Sequence, residues 1–257
     1  MNFNKENIAR FGLGAMGFVY IVVGFLTAMA AFNWGGQKTG TKGAIGFINN
    51  QYLGKLLLIV IALGLFSYVF WRLYQTLFDS RRLGTDLNGL FVRAGYFSGA
   101  LFYGSLGVIA IKLFFGGGYD ENQEFIIKLL NSEYGSAVSV ILGLILGGKC
   151  VFEIFFIFSN QFKKNVKSSE MPPKAKSILL KFGVIGHLAR AVVFGIMAFL
   201  TIRTGVTFRN EELSTVADAF QFLNYQFGAL VLSLVAFGLI CYGLYMFVKA
   251  RYLYINM

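Results

Sequence analysis

Apolar residues run along the chain in six blocks, about 11–32, 53–73, 94–115, 135–158, 182–202 and 227–248, parted by polar stretches. Each block has about the 20 residues that an α-helix needs to cross the hydrocarbon core of a bilayer. The pattern predicts six transmembrane helices, and its finer detail groups them in pairs. Gly12–Gly24 reads GLGAMGFVYIVVG, residues 95–107 read GYFSGALFYGSLG, and residues 186–198 read GHLARAVVFGIMA. Superimposed, they share a small residue at Gly17, Ala100 and Ala191 and an aromatic ring at Tyr20, Tyr103 and Phe194. A second small residue follows at Gly24, Gly107 and Ala198. Spacing of i, i+3, i+7 lies on one helical face. The second block of each pair repeats as well. Gly54, Gly135 and Gly228 open it, Tyr68, Lys149 and Tyr242 share one column, and Trp71, Phe152 and Tyr245 share another. A fixed long period signals repeated units. The chain therefore divides into three two-span repeats, 8–80, 91–162 and 178–252, within a single membrane domain, 1–257.

Between the two spans of each repeat lies a shorter segment of mixed polarity, at 41–54, 123–135 and 215–228. Apolar residues recur there at helical spacing, as at Ala44, Ile45 and Ile48 or Ala219, Phe222 and Leu223. This pattern predicts a short amphipathic helix at the membrane interface, then a glycine turn into the next span. All three repeats have an even number of spans, so they insert in the same sense and are related by rotation about the membrane normal. The expected fold is an all-α, pseudo-threefold bundle of six transmembrane helices. Small residues at Gly17, Gly24 and their equivalents suit close helix contact, with the ring filling the space beside them. A lipid or ligand groove lined by the three aromatics is the alternative use of that face.

Composition agrees. Of 257 residues, 56% are hydrophobic and 14% charged, whereas a soluble domain has a little under half and about a quarter. The first block ends in Ala28-Met29-Ala30, which imitates a signal-peptide cleavage site. The block is long, and its pattern returns in two later spans, so it is read as a retained span. The net charge of +11 sits mostly in loops, where topology explains it without nucleic acid. Two basic residues precede the first span, four lie in 72–93, six in 159–181 and two follow the last span. The three alternate loops and their flanks carry seven, offset by seven acids. The positive-inside rule then places both termini in the cytoplasm.

The motifs GLGAMGFVY, GYFSGALFY and GHLARAVVF resemble those of a bacterial inner-membrane family, domain of unknown function twelve-oh-six. Its members carry three two-span repeats, each opening with a motif like G-x-x-A-R-G-V-V-Y. The resemblance covers nearly the whole chain and implies a fold and an inner-membrane location but no activity. The motif arginine is present only as Arg190, the other copies having Met16 and Gly99.

Candidate chemistry sits where the repeats differ. Lys149 stands in a column of tyrosines, Glu153 aligns with Arg72 and Met246, and His187 and Arg190 are polar additions to the fifth span. A Lys or Arg deep in a bilayer costs about 2.5–3.5 kcal/mol on insertion scales, so such residues face the bundle and find partners. At 1.5 Å per residue Glu153 and His187 lie about 8 Å inside the cytoplasmic ends of their spans, and Lys149 and Arg190 about 12–14 Å. Lys149 and Glu153 are also i, i+4. A cluster of Lys149, Glu153, His187 and Arg190 is expected. It either locks two hairpins together or, with one positive charge in excess, holds an anionic headgroup or substrate.

Other chemistry is poorly provided for. One histidine cannot supply bis-histidine haem ligation, and metal-binding or nucleophile-elbow motifs are missing, so neither metal nor cofactor nor enzymatic activity is expected. Cys150 and Cys241 lie in spans without CxxC spacing. Two functions stay open. The first is a non-catalytic accessory or scaffold subunit that binds membrane lipids or another membrane protein complex. The second is a transporter or channel for a small solute.

Overall fold

The computed structural model describes residues 5–34, 40–79, 84–117, 134–159, 171–207 and 215–252. Among these residues there are seven helices and no strand: α1 (Lys5–Ala31), α2 (Thr41–Asn49), α3 (Gly54–Leu77), α4 (Leu87–Phe114), α5 (Gly135–Phe158), α6 (Pro173–Val206) and α7 (Val216–Arg251). All but α2 are long and apolar enough to cross a membrane. The protein is a multi-pass membrane protein.

The local signals act where the sequence places them. Asp86 caps α4 through its carboxylate, which accepts from the Gly89 N–H at 3.3 Å. Pro173 stands at the first position of α6, where its missing N–H costs nothing. Thr215 and Asp218 form a reciprocal capping box that starts α7. The interfacial helix of the first repeat is α2. That of the third repeat is the opening of α7, which turns into the span at Gly228, φ 78°, a left-handed conformation that glycine adopts without strain. The segment expected at 123–135 lies, save for its last two residues, outside the described residues.

The spans form a ring. α1 packs on α7 and on α3, α3 on α4, α5 on α6, and α6 on α7, whereas α4 and α5 hardly meet. Two kinds of interface alternate around it. In the first, the small residues of one repeat's opening span press on the closing span of the preceding repeat. A Cβ at Gly17 would lie 2.8 Å from the Gly243 carbonyl oxygen on α7, and one at Gly24 would lie 2.7 Å from that of Ala236. A Cβ at Gly143 on α5 would sit 3.2 Å from the Ala198 carbonyl oxygen on α6, and one at Gly107 on α4 would be 3.2 Å from the Phe66 ring on α3. Lipid offers no hydrophobic drive for helix association, so close backbone approach of this kind supplies the attraction.

The second kind of interface joins the two spans of one repeat, and here the threefold pattern breaks. In the first repeat a Cβ at Gly12 would lie 2.7 Å from Tyr68 Cα, and Gly64 faces Ala15. In the third, a Cβ at Gly186 would lie 2.6 Å from Tyr242 Cα, and Gly238 faces Ala189. In the second, the residue aligned with Gly64 and Gly238 is Ile145, which is exposed. Gly95, aligned with Gly12 and Gly186, meets the Phe152 ring instead of a backbone. Expected as three equivalent hairpins, the repeats comprise two closed hairpins and one whose spans stand apart. α4 and α5 touch at one end through the rings of Phe91, Phe152 and Phe155. Farther in, a Cβ at Gly99 or Gly148 would meet nothing within 4 Å.

Candidate functional site

The repeat's aromatic column converges on the middle of the ring. Tyr20 on α1 and Tyr103 on α4 join their hydroxyls at 2.9 Å. Tyr20 also meets Tyr242 edge-on at 4.8 Å, and Tyr103 meets Tyr68 at 5.0 Å. Ala100, Ala191, Phe194 and Ala198 are buried alongside. These rings fill the centre as packing, and the hydroxyl pair satisfies two polar groups that would otherwise be orphaned in the core.

Below this plug, toward the end of the bundle that holds the start of α1 and the end of α7, lies the polar cluster. The structure brings all four expected residues together around Glu153, whose side chain is 1% exposed. Arg190 Nη2 lies 3.1 Å from Oε1, Lys149 Nζ lies 3.4 Å from the same oxygen, and His187 Nδ1 donates to Oε2 at 2.5 Å. Lys149 and Glu153 are one turn apart on α5, and His187 and Arg190 are three residues apart on α6, so the cluster is built across one tightly packed helix pair. A buried carboxylate loses several kcal/mol of hydration, which only well-placed cations and donors recover. Glu153 has three.

Aromatic rings surround the cations. Arg190 donates through Nη1 to the Tyr242 hydroxyl, and its guanidinium stands 4.4 Å from the Tyr242 ring centre, 5.3 Å from Tyr20 and 5.4 Å from Phe194. Lys149 Nζ stands 4.5 Å from the Phe152 ring centre. Such contacts contribute about 0.5–2 kcal/mol each, more where water is excluded. Arg190 Nε is nevertheless buried without a hydrogen-bond partner.

Two further cations line the same cleft. Arg72 on α3 donates from Nε to the Tyr68 hydroxyl at 2.6 Å and from Nη1 to Gln75 Oε1 at 3.0 Å, and stacks 4.5 Å from the Tyr96 ring centre. Lys249 on α7 is buried and donates to the Tyr245 hydroxyl at 2.9 Å. Both were counted from the sequence as loop charges. Their columns place them inside: Arg72 aligns with Glu153 and Met246, and Lys249 with Gln75 and Phe156, all four of these partners being buried. The cavity between its side chains is small, about 20 Å³, and Gly95 and Gly99 on α4 form the wall toward the loose seam.

Three stretches of the chain, 11–79, 94–155 and 185–253, match the family described as domain of unknown function DUF1206, one stretch for each pair of spans. The chain belongs to the DUF1206 family. It is also similar to a Bacillus subtilis (strain 168) protein described as uncharacterized protein YxxB, with 31% identity over 254 residues that cover 96% of this chain and 90% of that protein. No solved structure matches it. In this DUF1206 chain the one motif copy that carries arginine supplies Arg190, which pairs with Glu153 at the centre of the cluster.

Proposed function

We propose that this DUF1206 protein is a non-catalytic component of the bacterial cytoplasmic membrane that binds an anionic lipid, both termini lying in the cytoplasm. The observation that carries this reading is the open second hairpin. Where the first and third repeats close glycine against backbone, the second leaves Gly99 and Gly148 facing empty space beside a cationic cleft. A headgroup would enter from the bilayer between α4 and α5 while its acyl chains stayed on the apolar outer faces of those helices. Basic pockets between spans on the cytoplasmic side are a recurrent way of holding anionic lipids. Lys149, 14% exposed at the seam, would make the first contact.

Glu153 supports a non-catalytic role, since Arg190, Lys149 and His187 occupy both its oxygens. Against transport, the ring is plugged by the Tyr20–Tyr103 pair, and the buried residues of α4 beyond it are Leu106, Ile109, Ala110 and Leu113.

Native mass spectrometry of the protein released from nanodiscs tests the reading. With equal phosphatidylglycerol and phosphatidylcholine present, the bound lipid should be the anionic one, in one copy per chain. Equal retention of both lipids, or a stabilising soluble substrate in place of lipid, would refute it.

A further inference from the structure

The charge balance of the cleft narrows the ligand further. Among the described residues that line the cleft, four are cations, Arg72, Lys149, Arg190 and Lys249, and one is a carboxylate, Glu153, an excess of three positive charges. Arg72 has only neutral partners, Tyr68, Gln75 and the Tyr96 ring. Among the described residues the buried Nε of Arg190, which lines the cleft, has no acceptor, and neither has Gln75 Nε2, which lies behind Arg72 outside the lining. Arg72 already occupies Gln75 Oε1, which turns the amide N–H₂ away from that bond. Two guanidinium groups and unpaired N–H donors are the complement of a phosphate.

Resting on the anionic-lipid reading, we infer that the cleft is built for a phosphate monoester at the end of a lipid, a dianion held by Arg72, Lys149 and Arg190, in preference to the phosphodiester of an ordinary headgroup. A monoester carries about −1.5 to −2 near neutral pH, which offsets more of that excess than a single negative charge does. A diester carries one, and more of the buried positive charge would stay uncompensated, a costly state. A monoester has three free oxygens for the waiting donors, whereas the extra alcohol of a diester headgroup would need further acceptors. Around this cleft the acceptors are Glu153, already engaged, and tyrosine hydroxyls. Gly148 is exposed on a membrane-spanning helix, beside Lys149 of the cleft, so a lipid-borne phosphate has a shorter way in than a free one.

The test uses the full chain in phosphatidylcholine nanodiscs that hold, in separate samples, phosphatidic acid, phosphatidylglycerol, or no anionic lipid with millimolar inorganic phosphate. Retention in native mass spectrometry and the thermal midpoint are read for each. Phosphatidic acid should be held about tenfold more tightly than phosphatidylglycerol, the equivalent of one charge-assisted hydrogen bond. Arg72→Gln should remove that preference, and Arg72→Lys, which keeps the charge, should retain most of it. Both variants should keep a cooperative melt without lipid. Equal binding of the two anionic lipids would overturn the monoester assignment and leave the anionic-lipid reading standing. Loss of all preference over phosphatidylcholine would overturn both. Displacement of phosphatidic acid by millimolar inorganic phosphate would overturn the lipid-borne source and support phosphate recognition itself.

Discussion

Neutralising Glu153 is the perturbation with the largest expected effect on stability. Glu153→Gln keeps the size and one acceptor oxygen but removes the charge that faces Arg190 at 3.1 Å, His187 at 2.5 Å and Lys149 at 3.4 Å. Removing one partner of a buried ion pair costs about 3–5 kcal/mol because the other charge stays buried. Interhelical hydrogen bonds in membrane proteins average nearer ~0.6 kcal/mol, since segments unfolded within the bilayer find other partners. Here the charge effect outweighs that compensation, because the lining of the cleft would hold Arg72, Lys149, Arg190 and Lys249 and no carboxylate. The lower figure of about 3 kcal/mol is therefore the better guide. Lys149 is the least buried member and can turn outward to the interface, so Arg190 should carry most of the loss. Equilibrium unfolding in mixed micelles would read the change. A double-mutant cycle with Arg190→Gln should give a coupling of about 1.5–3 kcal/mol, the range for hydrogen bonds to charged groups. A Glu153→Gln protein within about 0.5 kcal/mol of wild type, the size of an ordinary surface substitution, would refute the cluster as a structural element.

The repeat geometry gives two more predictions. Gly12→Ala and Gly186→Ala should each destabilise by about 1–3 kcal/mol, because the new Cβ meets the Tyr68 or Tyr242 backbone. Gly95→Ala should cost less, since only the rim of the Phe152 ring has to move; equal thermal midpoints for all three would contradict the asymmetry. In a chain with Cys150 and Cys241 changed to Ala, the pair Gly147→Cys and Ala198→Cys should form a disulfide on mild oxidation. Their Cβ atoms would stand 3.9 Å apart, inside the usual range of about 3.5–4.5 Å. Gly99→Cys with Gly148→Cys should stay reduced, as read by gel mobility, and efficient cross-linking there would close the seam.

Much of the fold is legible in the sequence because the repeat makes each span a check on two others. Gly24 and Gly107 align, Gly17 lies two turns earlier on the same face as Gly24, and in the structure all three lie where one repeat's opening span meets the closing span of the repeat before it. The four-residue cluster is legible for a related reason. Lys149 interrupts a tyrosine column, Arg190 keeps the motif arginine its sister copies lack, and both must find partners inside the bundle. Arg72 and Lys249 escape because each stands at the edge of its apolar block and counts with the basic loop or tail beyond, whereas α3 and α7 run on to Leu77 and Arg251 and turn both side chains inward onto tyrosines. The loose seam escapes because Ile145 reads as an ordinary apolar residue of a span. Only beside Gly64 and Gly238 does it show as the position where the small-residue contact is missing.

The most direct test of lipid entry at this seam is photolabelling in a bilayer. Phosphatidic acid with a diazirine near the top of one acyl chain, reconstituted with the protein and mapped by peptide mass spectrometry, should label α4 and α5 around Gly99 and Gly148. Lys149→Gln should weaken that label. Label spread evenly over the six spans, or gathered on α1, α3 or α7, would contradict the assignment of the anionic lipid to the open second hairpin.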